Sequence, residues 1–359
     1  MSLSISQTLI WISISEIASC EKRDRLRLFA EEVQDLFDNL ESYRQDLEQL
    51  GKDVYERLLA HRNADLIDDF LQKNLAQNVK VVTYYDDDYP QTLKDIPNPP
   101  IALYCKGDIE LLNKPSIAVV GPREATDYGI MVAKKFVETF AKEGLSVVSG
   151  IARGIDTVSH RTALDNKGKT VAVLPCGQDV VYPAENYRLY DLVADYGLRV
   201  TEYPLGTKVK QYTFVERNRI ISGIANALFL PEAAENSGTM ITVGHALQEG
   251  KPIYVVPGSV FSKTSKGSNK LILQGDGIMI LSPEDVLKEM GITAKSEKPP
   301  MQLSLEETAV LDALEKGDTH FESILSQTGL SSKTLSVILL KLELEGMIRK
   351  SAGNYYSKY

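Results

Sequence analysis

Two arginines stand in glycine-bearing turns of the kind that hold anions: Val120-Gly121-Pro122-Arg123, and Ser149-Gly150-Ile151-Ala152-Arg153-Gly154-Ile155-Asp156. Each turn follows a short β-branched run and leads into an amphipathic stretch. Each therefore sets an arginine beyond a strand and near a helix N-terminus, where unpaired N–H groups and the helix dipole favour a phosphate. The guanidinium adds a forked, permanent charge. Gly150 and Gly154 are expected to turn the backbone tightly and bring its amides near a ligand oxygen. A dinucleotide site would need Gly-x-Gly-x-x-Gly at the first turn, and those glycines are missing.

A third segment, with Lys208, Lys210, Tyr212, Phe214 and then Glu216-Arg217-Asn218-Arg219, joins cations to aromatics. That pairing suits single-stranded nucleic acid, whose phosphates meet cations while a base stacks on a ring. Read as extended chain running into a helix over 220–227, it turns Arg217 and Arg219 to one side and Asn218 to the other. A fourth segment opens a helix after a strand and offers Ser237, Gly238 and Thr239 as amide and hydroxyl donors. A fifth, Pro257-Gly258-Ser259 followed by Lys263 and Lys266, adds amides and flexible cations. Glu232 is the carboxylate to suspect of acid–base work. His160 lies one helical turn after Asp156, yet no Ser or Cys nucleophile motif accompanies it. Asp156 reads as a helix cap and His160 as a packing or hydrogen-bonding residue. The Asp86-Asp87-Asp88 run has no second carboxylate motif at ligand spacing and reads as a solvated turn. No metal and no cofactor is expected.

These loops need a scaffold that brings strand ends together. From Ser116 onward, β-branched runs alternate with amphipathic helices, the pattern of a parallel sheet covered on both faces. The expected strands are 116–120, 146–149, 170–174, 199–201, 227–230, 252–256 and 277–280, with a further strand at 79–84. The fold class is α/β: an extended Rossmann-like, doubly wound parallel sheet in which ligands bind beyond the carboxyl ends of the strands. Residues 1–78 read as a helical (SAM-like) domain, 79–290 as the Rossmann-like core, 291–303 as a polar linker and 304–359 as a winged helix-turn-helix. The apolar run Leu9–Ile14 is too short to span a membrane and reads as a buried helix. The third helix of the winged unit sets Lys333 and Lys341 against Glu343 and Glu345, which favours a protein contact over a DNA groove.

A net charge of −9 would disfavour nucleic acid if it were spread evenly. It is not: residues 1–110 hold 12 Lys/Arg and 21 Asp/Glu, whereas residues 111–290 hold 20 and 19. The acidity is local, and the central basic residues keep their effect. Three isolated cysteines without CxxC spacing fit a reducing compartment, so a cytoplasmic location is expected.

Taken in order and spacing, VGPR…YG, SGIARGID…H, ERNRII, EAAENSGT and VPGS…GSN resemble the DprA (Smf) family of DNA-processing proteins, over about residues 79–280. The resemblance implies a non-catalytic protein that binds and protects single-stranded DNA, helps load the RecA recombinase in natural transformation and recombination, and forms a homodimer through its Rossmann domain. It carries DNA contacts to Arg123, Gly150, Arg153, Gly154, Phe214, Arg217, Asn218 and Arg219. Lys210, Ser237, Gly238, Thr239 and Lys263 join the expected interface from the loop reading. Departures from the family pattern are Pro122, where a small hydroxyl residue is usual, Val215 in place of a proline, and Gln274-Gly275-Asp276 where Gly-Ala is common. The alternative is a hydrolase of nucleoside monophosphates from a related superfamily, but Thr242 stands where its catalytic glutamate would be.

Overall fold

The computed structural model describes residues 3–292, 303–315, 317–344, 347–351 and 353–358. The expected linker stretch Thr293 to Gln302, and Glu345, lie outside them. Met1–Ala294 and Lys295–Tyr359 form two compact units.

In the first unit, five helices come first: α1 (Ile5–Ile14), α2 (Cys20–Glu32), α3 (Arg44–Leu50), α4 (Val54–Ala60) and α5 (Ala64–Ala76). They lead to β1 (Lys80–Thr83), α6 (Gln91–Lys94) and β2 (Ala102–Gly107). The alternating region gives β3 (Ser116–Val119), α7 (Asp127–Lys142), β4 (Ser146–Ser149), α8 (Ile155–Asp165), β5 (Thr170–Val173), α9 (Tyr187–Tyr196) and β6 (Leu198–Thr201). It continues with α10 (Gln211–Ile224), β7 (Ala227–Leu230), α11 (Thr239–Gln248), β8 (Ile253–Val255), α12 (Lys266–Gln274), β9 (Ile278–Met279) and α13 (Pro283–Glu289).

The sheet runs β1-β2-β6-β5-β4-β3-β7-β8-β9. From β6 to β9 every pairing is parallel. Strands β3 to β7 are buried at every position, because helices cover both faces and neither face needs polar residues. Two apolar layers result. One joins Val148, Val171, Ile220, Leu228 and Val255, and the other packs Phe136, Phe140 and Phe229. The parallel sheet read from the sequence is present, with one addition. Ala102–Gly107, to which the sequence reading assigned no element, is β2, and it pairs antiparallel with both β1 and β6. Its Ala-Leu-Tyr-Cys run is short and lies close behind four turn-forming residues, Pro97-Asn98-Pro99-Pro100, so it lacks the periodicity that marks the other strands.

The expected buried helix is α1, with Leu9 to Ile12 in the core. The change at residue 78 is one of secondary structure and not an edge of packing. Ile101 and Ala102 lie in the same apolar cluster as Leu9, Trp11 and Leu26, and Ser13 Oγ lies 2.6 Å from the Tyr104 hydroxyl. Ions complete the join. Arg23 of α2 donates to Glu202 Oε2 at 2.9 Å, and Arg219 of α10 donates to the same oxygen at 2.6 Å. All three side chains are buried. Tyr203 donates its hydroxyl proton to Glu216 Oε2 at 3.1 Å, and that oxygen lies 3.4 Å from Arg23.

The second unit holds α14 (Leu305–Ala313), β10 (Thr319–His320), α15 (Phe321–Thr328), α16 (Ser332–Leu344), β11 (Ile348–Ser351) and β12 (Tyr355–Lys358), with strand order β10-β12-β11. Its core is Val310, Leu314, Ile324, Leu335, Leu339, Leu342 and Ile348. This is the winged helix expected. Lys341 of α16 is tied to Glu307 of α14 at 2.5 Å, while Val337 and Leu340 of the same helix are exposed.

Burial raises the Glu202 carboxyl, but Arg219 and Arg23 outweigh it, and the group ends below its ordinary value of 4.5. A depressed carboxylate contributes stability above that value, and the contribution is lost as pH falls through the folded-state pKa. Glu202→Ala, which leaves two buried guanidinium groups facing each other, is expected to cost about 3–5 kcal/mol at neutral pH in denaturant titration. The deficit against wild type should shrink on acidification below pH 4.5.

Candidate nucleic-acid interface

An open cleft of about 620 Å³ lies at the carboxyl ends of β3, β4 and β7. Helix α10 forms one wall through Gln211, Phe214, Val215, Asn218 and Ile221, which recur at helical spacing on one face. The β3 turn adds Gly121, Pro122 and Arg123, and the start of α11 adds Ser237, Gly238 and Thr239.

Arg123 is exposed, and among the described residues it has no carboxylate partner. Its guanidinium carbon lies 5.0 Å from the centroid of the Phe214 ring, and the Tyr182 ring meets Phe214 edge-on at 5.3 Å. The backbone amides of Gly238 and Thr239 have no acceptor among the described residues, as expected for the first turn of a helix. The Ser237 hydroxyl donates to the Ala234 carbonyl at 2.9 Å. The Asn218 side chain is half-buried at the cleft and makes no hydrogen bond to a described residue.

Arg217 and Arg219 are both held by internal partners, and of the two only Arg217 contributes to the lining of the cleft. The extended entry read from the sequence is helical from Gln211, so these residues lie about 200° apart around the axis. Both are 4% exposed. Arg217 donates to the Gly150 carbonyl at 2.7 Å and to the Val173 carbonyl, bridging the ends of β4 and β5 beneath the cleft. Burial pulls its pKa down, against the opposing charge of Asp156. Arg219 belongs to the Glu202 cluster.

The glycines of the second turn also have an internal purpose. A Cβ on Gly150 would lie 2.4 Å from Arg217 Nη1. One on Gly154, at φ +72°, would lie 2.3 Å from the Pro122 carbonyl oxygen. Gly154 thus lets the β4 turn support the β3 turn that carries Arg123. Arg153 is exposed and paired to Glu185. Lys210 and Lys263 are exposed, but neither lines the cleft.

Asp156 is not the cap expected: the N-cap of α8 is Gly154, and Asp156, in the first turn, accepts from the Ala152 amide of the preceding loop at 3.2 Å at the floor of the cleft, where burial raises its carboxyl pKa. His160 is fully buried, with Nδ1 2.6 Å from Thr170 Oγ1, and burial drives its pKa down to about 3. It stays neutral at ordinary pH, a packing and hydrogen-bonding histidine. Glu232 is buried and accepts from the Thr126 amide at 3.2 Å and from the Thr126 hydroxyl, which anchors the N-cap of α7. Gln211 and Ile221 were not anticipated at the cleft; the signal that finds them is the i, i+3, i+4, i+7 spacing around Phe214 once the segment is read as helix.

Gly154→Ala places a side chain against the Pro122 carbonyl in a backbone region that L-residues avoid. It is expected to destabilise the protein by about 1–3 kcal/mol in denaturant titration. The β3 turn should move with it.

Residues 80–291 match the family described as DNA recombination-mediator protein A, and residues 294–354 match the DprA winged helix domain. The chain is 29% identical over 353 residues to Protein Smf of Synechocystis sp., covering 87% of this chain and 88% of that protein. The structure of DNA processing protein A from Streptococcus pneumoniae superposes with a TM-score of 0.70 at 30% identity, covering 80% of this chain and 99% of that one. That of DNA processing protein A from Helicobacter pylori, described for its single-stranded DNA binding mode, gives 0.54 at 28% identity over 59% of this chain and 95% of that one. With its α/β core and winged helix both matched, the chain belongs to the DNA recombination-mediator protein A (DprA/Smf) family.

Proposed function

We propose that the cleft binds single-stranded DNA, and that the protein acts without catalysis, protecting such strands and helping to load a RecA recombinase onto them in transformation and recombination. The observation that carries this reading is Arg123, an exposed guanidinium without a carboxylate partner, resting on the Phe214 ring in the same cleft as the open amides of Gly238 and Thr239. An incoming phosphate draws the guanidinium towards itself and frees the ring face for a base. Binding of this kind is tolerant of sequence, because every base has a π face. Asn218 and Ser237 supply further polar groups. The single-stranded DNA binding described for the Helicobacter pylori protein supports the assignment.

The decisive measurement compares single- and double-stranded oligonucleotides by fluorescence anisotropy. With about four phosphates contacted, affinity for single strands is expected to fall roughly 50-fold between 50 and 200 mM salt. Arg123→Ala should weaken binding and lower the salt slope by about 0.7, and Phe214→Ala should cost about 1–3 kcal/mol. Unchanged affinity in both variants removes the cleft from the binding site. Release of free base from a nucleoside monophosphate would replace the non-catalytic reading, and RecA filament growth on coated strands that the protein does not speed would remove the loading role.

The homodimer is proposed to form at β9, the last strand of the sheet, whose far edge is unpaired among the described residues. Ile278 and Met279 are exposed along it, with Leu273 at 87% and Leu281 at 71% on either side. Such an apolar strand edge invites a second copy. Leu273→Glu with Leu281→Glu is expected to give a monomer by light scattering; a wild-type protein that is already monomeric would refute the pairing.

A further inference from the structure

A second cleft, of about 680 Å³, opens on the opposite side of the α10 N-terminus, between the first helices and the segment after β6. One wall is Pro204 to Thr207, Lys208, Lys210 and Tyr212; the other includes Ile14, Ala18, Arg57 and Phe70. Lys208 and Lys210 are exposed and have no acidic partner among the described residues. The Lys210 ammonium lies 5.8 Å from the Tyr212 ring, a side chain that is itself 41% exposed. The acid on the far wall is accounted for, since Glu16 lies 3.7 Å from Arg57.

The two clefts meet at one ridge. Gln211 lines the first, while its neighbours Lys210 and Tyr212 line the second. No acidic residue occupies the first turn of α10, and the Gln211 and Tyr212 amides have no acceptor among the described residues. At the floor of the second cleft, the Glu202 side chain is 2% exposed and its Oε1 has no hydrogen-bond partner among the described residues, although Oε2 takes both arginines. A buried carboxylate oxygen left open calls for an N–H donor. Every nucleobase carries such a donor on its pairing edge, and a duplex hides it.

We propose that the second cleft takes the nucleotides that follow those in the first: the strand crosses the α10 N-terminus, sets phosphates on Lys208 and Lys210, and turns a base toward Tyr212 and Glu202. The N-terminal helices are thereby part of the DNA-binding surface. This rests on the single-stranded DNA reading of the first cleft.

The test uses the full chain and oligothymidylates of about 4 and about 16 nucleotides. Lys208→Ala with Lys210→Ala, and separately Ala18→Asp on the helical wall, should weaken binding of the long oligomer and leave the short one at wild-type affinity. For the long oligomer the lysine pair should lower the log–log salt slope by about 1.4. Wild-type binding of the long oligomer by either variant, or equal losses on both lengths, overturns the second cleft while the first stands. Failure of the wild-type chain to bind either oligomer removes the parent reading and this one with it.

Discussion

The guanidinium of Arg217 is the contact on which the candidate interface depends. A permanent charge sits beneath the cleft with its Nη1 shared between the carbonyls of Gly150 and Val173. An isolated buried cation is costly, so it persists only where carbonyl dipoles and a nearby carboxyl compensate it. Here Asp156 provides the opposing charge. The arrangement fixes α10 against the ends of β4 and β5, and it requires a glycine at position 150, where any side chain would strike the guanidinium. Once α10 is held so, Phe214 and Asn218 face the cleft by helical geometry alone.

Much of this was legible in the sequence because parallel strands buried on both faces leave a plain signature. The β3 to β8 runs and their glycine or proline ends marked where a ligand would sit. What was not legible was the state of the segment 211–219. An Arg-Asn-Arg run next to an aromatic looks like a solvent-facing cationic patch, and nothing local in it says that the arginines are solvated or buried. That depends on Glu202 and on the carbonyls of Gly150 and Val173, which are distant in sequence. The run divides as a result: both arginines are engaged by the scaffold, Arg217 at the lining of the cleft, while Asn218 between them lines the cleft without a hydrogen bond to a described residue. Nor did the sequence reveal the internal purpose of Gly154, which admits the Pro122 carbonyl.

The charge distribution has a related logic. The acidic N-terminal helices do not repel the core, because α2 presents Arg23 to Glu202 at the point of contact. Their surplus carboxylates engage local partners, as in Arg44 with Glu48 and Arg57 with Asp53. Arg123, Lys208 and Lys210, all in the core sequence, are left without acidic partners among the described residues. Local balance, and not the total charge, decides where an anion can be held.

Helix α10 is gripped from two directions, by β-strand carbonyls at Arg217 and by a carboxylate at Arg219. A one-residue insertion or deletion between Phe214 and Arg217 would rotate the preceding turn by about 100° relative to that grip. Phe214 and Gln211 would leave the cleft while both arginines kept their partners. The stretch should therefore accept exchanges at the exposed Val215 but be intolerant of changes in length, so that among functional variants of this chain the spacing from Phe214 to Arg219 is a stricter constraint than most of the residues within it.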